Sequence, residues 1–106
     1  MSFTETSEGW WLEDNHILHA QCQNADGEKV ESTIDLDTFV GNSDGWFIWD
    51  GENFSLSATD VRLDGSYLSA ELATVEGGSR ERQGLELNDR IGNDNGQLVY
   101  TSLDEE

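Results

Sequence analysis

At 106 residues, with four Trp, four Phe and 35% hydrophobic content, the chain is long enough to fold as one domain around its own core. Its 23 acidic against 5 basic side chains give a formal net charge of -18. That balance repels phosphate backbones and anionic membranes, so it argues against nucleic acid and membrane as partners. One cysteine excludes an intrachain disulfide, and no apolar run approaches the roughly 18 residues of a membrane span.

In chain order, Met1-Ser2-Phe3-Thr4-Glu5 has neither the basic nor the apolar stretch of a signal peptide. A reducing, cytoplasmic location is the expectation. Trp10 and Trp11 are adjacent, so on a strand only one points inward. Leu18, Ala20 and Cys22 alternate with His19, Gln21 and Gln23, the period of a half-buried strand. The same stripe makes Cys22 a small core residue. Asp26-Gly27 signals a hairpin turn, and Val30, Ser32 and Ile34 share one face of the returning strand. Leu36 to Val40 places apolar residues at i and i+4, which fits one helical turn. After Asp44-Gly45, Phe47 and Trp49 sit on a short strand, and Trp49 at its end reads as core.

From Phe54 the series begins again. Leu68, Ala70 and Leu72 repeat the strand at Leu18, Ala20 and Cys22. Leu85-Glu86-Leu87-Asn88 repeats Ile34-Asp35-Leu36-Asp37, and Gly77-Gly78 marks the second hairpin turn. Val40-Gly41-Asn42-Ser43-Asp44-Gly45 returns as Ile91-Gly92-Asn93-Asp94-Asn95-Gly96. Two repeats, about 3–49 and 54–100, are therefore offset by 50 or 51 positions and joined at 50–53. Each predicts five short strands and one helical turn. One repeat alone would be marginal, so two must share a core.

Several chemistries fail on spacing. Asp35-Leu36-Asp37-Thr38-Phe39-Val40 lacks the third ligand and the glycine of an EF-hand loop. His16 and His19 face opposite sides of a strand and make no metal pair. No Gly-x-Ser-x-Gly elbow is present, and a small β protein has little room for the cleft of a glycosidase. The expectation is a non-enzymatic chain with no metal or cofactor. A cation-binding module and a protein-interaction module using the acidic face remain as alternatives. Asn42 with Asp44 and Asn93 with Asn95 put short polar groups on glycine-bounded loops, which suits sugar hydroxyls but is also ordinary turn chemistry. Asn53-Phe54-Ser55 is a glycosylation sequon.

The run Ser32-Thr33-Ile34-Asp35-Leu36-Asp37, with Asn42-Ser43-Asp44-Gly45, Trp49, Asn53-Phe54, Leu87-Asn88-Asp89, Ile91, Asn93, Gly96 and Tyr100, resembles the cyanovirin-N homologue (CVNH) lectins over the whole chain. The missing cysteine pairs resemble the fungal members: Ser7 and Cys22 stand at one disulfide position, Ala58 and Leu72 at the other. The resemblance implies a single all-β domain of pseudo-symmetric lobes, each a three-stranded antiparallel sheet plus a hairpin, with strands exchanged between the repeats. Lobe A would comprise about 1–38 with 90–106, and lobe B about 39–89. It implies binding of mannose-rich oligosaccharides with α1-2-linked ends, and no catalysis. The lobe A site would use Glu5, Thr6, Gln23, Asn93, Asp94 and Asn95. The lobe B site would use Gly41, Asn42, Ser43, Asp44, Asn53, Ser57 and Thr74. Ala25 stands where the family has a hydroxyl, Gly41 where it has an acid and Val75 where it has a sugar-clamping Arg, so weak binding is expected, with lobe A favoured. A monomer is expected, with Asp50-Gly51-Glu52 as the natural hinge of a swapped dimer.

Overall fold

A computed structural model describes residues 3–101. The outer parts of the expected lobe A, residues 1–2 and 102–106, lie outside the described residues. The body is elongated, 51 × 28 × 17 Å.

Each repeat opens with a 3-10 turn, η1 (Phe3–Thr6) in the first and η3 (Phe54–Ser57) in the second. These turns were not anticipated, because four residues with one buried aromatic carry no helical period. Phe3 and Phe54 are nonetheless fully buried and anchor the two halves. A three-stranded antiparallel sheet follows in each repeat: β1 (Ser7–Glu13), β2 (Ile17–Gln23) and β3 (Lys29–Asp35), then β6 (Ala58–Asp64), β7 (Tyr67–Leu72) and β8 (Gln83–Glu86). Period-2 alternation works as expected, with Leu18, Ala20, Cys22, Leu68, Ala70 and Leu72 all buried. β1 and β6 both carry a register shift near their starts, between Glu8 and Trp11 and between Thr59 and Arg62. The second turns, η2 (Leu36–Thr38) and η4 (Leu87–Asp89), are capped alike: Asp35 accepts from the Asp37 N–H and Glu86 from the Asn88 N–H.

Each repeat closes with a hairpin, β4 (Val40–Ser43) with β5 (Trp46–Trp49), and β9 (Ile91–Asp94) with β10 (Gln97–Tyr100). Each hairpin packs mainly against elements of the other repeat. β5 lies against β8 and β4 against η3, while β10 lies against β3 and β9 against η1. The strand exchange follows from this crossing, and the core is common to both repeats.

The two strand-end aromatics that correspond by repeat meet near the junction of the halves. Trp49 and Tyr100 stack at 5.7 Å, and Phe39 stacks on Tyr100 at 4.0 Å. Trp49 packs against the core as expected, but at its edge: it is half-buried rather than enclosed. Trp10 packs edge-on against Phe3 and donates through Nε1 to the Gly65 carbonyl, 2.7 Å away in the turn between β6 and β7. Its neighbour Trp11 is exposed, as adjacency on a strand requires.

Ser7 faces Cys22 across β1–β2, and Ala58 faces Leu72 across β6–β7. The Ser7 hydroxyl is buried with no hydrogen-bond partner among the described residues. The second pair is apolar and leaves no polar group stranded there.

Candidate functional site

The glycine-bounded asparagines organise two mouths at corresponding places in the fold. In the first, the Asn93 amide donates to Thr6 Oγ1 at 2.8 Å and to the Gln23 carbonyl at 2.9 Å. Its Oδ1 accepts from the Gly96 N–H at 2.8 Å. In the second, the Asn42 amide donates to Ser57 Oγ at 2.8 Å and to the Ala73 carbonyl at 3.0 Å, and Oδ1 accepts from the Gly45 N–H at 2.7 Å. Each asparagine therefore ties its own hairpin turn to a 3-10 turn and a sheet strand of the other repeat. Asparagine suits the position because it alone offers two donors and an acceptor on so short a stem. Gly45 and Gly96 sit at φ of +91° and +90°, where other residues are strained.

A second tie repeats the symmetry. Asn95 Oδ1 accepts from the Ala25 N–H at 2.7 Å, and Asp44 Oδ1 accepts from the Val75 N–H at 3.1 Å. The loops after β2 and β7 are thus held against the hairpin turns. The first loop is also internally braced, since Asn24 Oδ1 accepts from both Asp26 and Glu28 N–H at 3.0 Å.

These bonds redistribute the roles expected from sequence. Thr6, Gln23, Asn93 and Asn95 meet at the first mouth, with Glu5 on the adjoining turn and Asp94 exposed at the hairpin end. Asn42, Asp44, Ser57 and Thr74 belong to the second, beside the exposed Ser43. Both donors of Asn42 and of Asn93 are occupied within the protein, so their side chains position the loops and leave only Oδ1 with spare capacity. Gly41 does not face solvent. It is buried against the connector, where a Cβ on Gly51 would lie 2.8 Å from the Gly41 Cα. What Gly41 does is pair with Asn53, which stands exposed at φ 60°. No enclosed cavity is found among the described residues, and both mouths are open surface.

Sequence reasoning missed four residues of the mouths, although the repeat offset points to each. Asn24 braces the first loop. Arg80 lies over the Trp46 ring at 4.1 Å and donates to the Asp44 carbonyl at 2.9 Å, stiffening the second mouth. Leu56 stands where the first mouth has Glu5.

Away from the mouths, His16 Nδ1 lies 2.7 Å from Asp35 Oδ1 and 3.5 Å from Asp37 Oδ2. The bond to Asp35 holds the His16 pKa above its ordinary value, with the nearby Asp37 charge adding. The ligand atoms of this trio lie within 4.8 Å of one another, close enough to consider a metal. However, Asp37 also accepts from the Ser55 N–H and hydroxyl, and Asp35 from the Asp37 N–H. Ser66, Glu86, Asn88 and Thr4 build the same hub in the other repeat with no histidine. The arrangement is a structural hub, joining each η turn after a sheet to the start of the other repeat. On the outer face of the first sheet, Trp11 stacks on His19 at 4.2 Å. The bond from His19 to Glu13, with Glu31 assisting, raises the His19 pKa.

The family model described as the CVNH domain matches residues 3–99. The curated "Cyanovirin-N homolog" of the fungus Tuber borchii is 46% identical over 103 residues, covering 94% of this chain and 99% of its own length. Among solved structures, the complex of microvirin with mannobiose superposes with a TM-score of 0.83 at 27% identity, covering 94% of this chain and 98% of that one. A MoCVNH3 variant in complex with (N-GlcNAc)4 gives 0.86 at 28% identity, covering 93% and 96%.

Proposed function

Because the chain belongs to the CVNH domain family, whose members are carbohydrate-binding lectins rather than enzymes, we propose that its two mouths bind mannose-rich glycans through α1-2-linked ends. The observation that carries this reading is the duplicated asparagine clamp. Two sets of loops, each lined with short amides, hydroxyls and carboxylates, are fixed in place by bonds between the repeats. Sugar hydroxyls are closely spaced and each both donates and accepts, so recognition needs such groups on backbone that does not have to be ordered on binding. The mannobiose complex of a structural neighbour supports the choice of sugar.

The first mouth belongs to a lobe of about 1–38 with 90–106, and the second to one of about 39–89. In the first, Glu5, Thr6, Asn95 and Asp94 surround the clamp of Asn93 and Gln23. In the second, Ser43, Asp44, Asn53, Ser57 and Thr74 surround Asn42. No chemistry is performed, and no metal or cofactor takes part. The protein acts as a monomer in a reducing compartment.

Titration of 15N-labelled protein with α1-2 mannobiose tests this directly. Amide shifts should move at 5–6, 23–28 and 93–97, and at 42–46, 53–57 and 73–78. Shifts confined to the outer faces of the two sheets would refute the assignment.

A further inference from the structure

The two mouths share their clamp and differ in the side chains that stand around it. Glu5 and Ala25 of the first correspond to Leu56 and Val75 of the second. Leu56 is 82% exposed and Val75 85% exposed, the highest exposures among the large apolar side chains of the described residues. Both adjoin the mouth along the backbone. Leu56 precedes Ser57, which accepts from Asn42, and the Val75 N–H donates to Asp44. An apolar side chain exposed beside a polar, rigid mouth offers contact to an apolar part of a ligand.

We propose that the second mouth prefers a hexose carrying an acetamido group to one carrying hydroxyls alone, a preference that the first mouth lacks. This rests on the lectin reading above. An acetamido group pairs a methyl with an amide. Its methyl suits Leu56 and Val75, and its carbonyl and N–H suit the hydroxyls of Ser43 and Thr74 and the spare lone pair of Asn42 Oδ1. It is also neutral. A net charge of -18 disfavours carboxylated, sulfated or phosphorylated sugars at the same place. The first mouth has a carboxylate and a single methyl where those apolar groups stand, so it has nothing to reward an acetamido methyl.

The experiment compares N,N'-diacetylchitobiose with cellobiose, which has the same linkage without acetamido groups, and with α1-2 mannobiose, all by amide shift titration. At the second mouth diacetylchitobiose should bind about fivefold more tightly than cellobiose, the scale of one apolar methyl contact. The first mouth should show no such preference. Leu56→Glu with Val75→Ala, which installs the first mouth's residues, should erase the difference. Both positions are exposed, and unchanged strand amides will show that the fold is intact. The converse pair, Glu5→Leu with Ala25→Val, should create the preference at the first mouth. Equal binding of diacetylchitobiose and cellobiose at the second mouth, or a preference that survives the double substitution, overturns the proposal. If mannobiose still shifts the mouths in that case, the lectin reading stands without it. If no sugar shifts either mouth, both fall.

Discussion

At one mouth Asn93 reaches Thr6 and Gln23, and at the other Asn42 reaches Ser57 and Ala73. The bonds correspond one for one at an offset of 50 or 51 residues, yet the groups around them have diverged: Glu5 against Leu56, Ala25 against Val75, Val30 against Arg80, Gln97 against Trp46. The structural hubs show the same division. One holds His16, Asp35 and Asp37, the other Ser66, Glu86 and Asn88. Duplication has kept the bonds that join the repeats, because each satisfies backbone or buried groups that would otherwise be stranded. Side chains that face water were free to change.

That comparison can be broken or sharpened by substitution. The largest effect should come from the paired anchors. Phe3→Ala and Phe54→Ala should each cost about 3–5 kcal/mol, since both rings are fully buried in the shared core. Denaturant unfolding will measure both, and a clear inequality would mean that one half of the core dominates. Next, Ser7→Cys should form a disulfide with Cys22, its partner across β1–β2. Closing that hairpin should add about 3 kcal/mol under oxidising conditions and remove a stranded hydroxyl. Failure to oxidise would show that the pair is splayed.

Asn42→Ala and Asn93→Ala should each cost about 2 kcal/mol, because one clamp loses three hydrogen bonds and leaves carbonyl and N–H groups unmatched. Each should also weaken sugar binding at its own mouth alone, which distinguishes a positioning role from global loosening. The smallest effect is the pH response. The raised His16 pKa means that the stabilising bond to Asp35 is complete below the ordinary value of 6.5 and is lost as pH rises through the raised one. The denaturation midpoint should therefore fall across that window. His16→Gln should remove its share of the slope and leave the part due to His19, whose pKa is raised by Glu13. A slope unaffected by His16→Gln would place the titration elsewhere.

Much of the fold was legible beforehand. Alternation at Leu18, Ala20 and Cys22 and again at Leu68, Ala70 and Leu72 marked the central strand of each sheet. Asp26-Gly27, Gly77-Gly78 and the repeated Gly-Asn loops marked turns. The η1 and η3 turns escaped, since a single buried Phe in four residues has no period. Trp49 packs on the core as its pattern predicts, but only from the edge, since a pattern states which residues are apolar and not how much of the molecule covers a strand end. At the mouths, residue types were legible and roles were not. Asn42 and Asn93 looked like ligands, and the structure shows their donors already engaged. Gly41, expected at the second site, is buried against Gly51. Arg80 and Trp46 are far apart in sequence and meet only by stacking.

The sequence by itself determined that the chain is a tandem repeat of β structure, acidic, with one cysteine and two equivalent polar loops. Those properties are local or periodic, and a linear string records them. Only the tertiary structure decided which hairpin closes which sheet and which side chains an asparagine engages. Partners such as Thr6 and Asn93 lie at opposite ends of the chain, and a hydrogen bond depends on distance and direction in space rather than on order along the backbone.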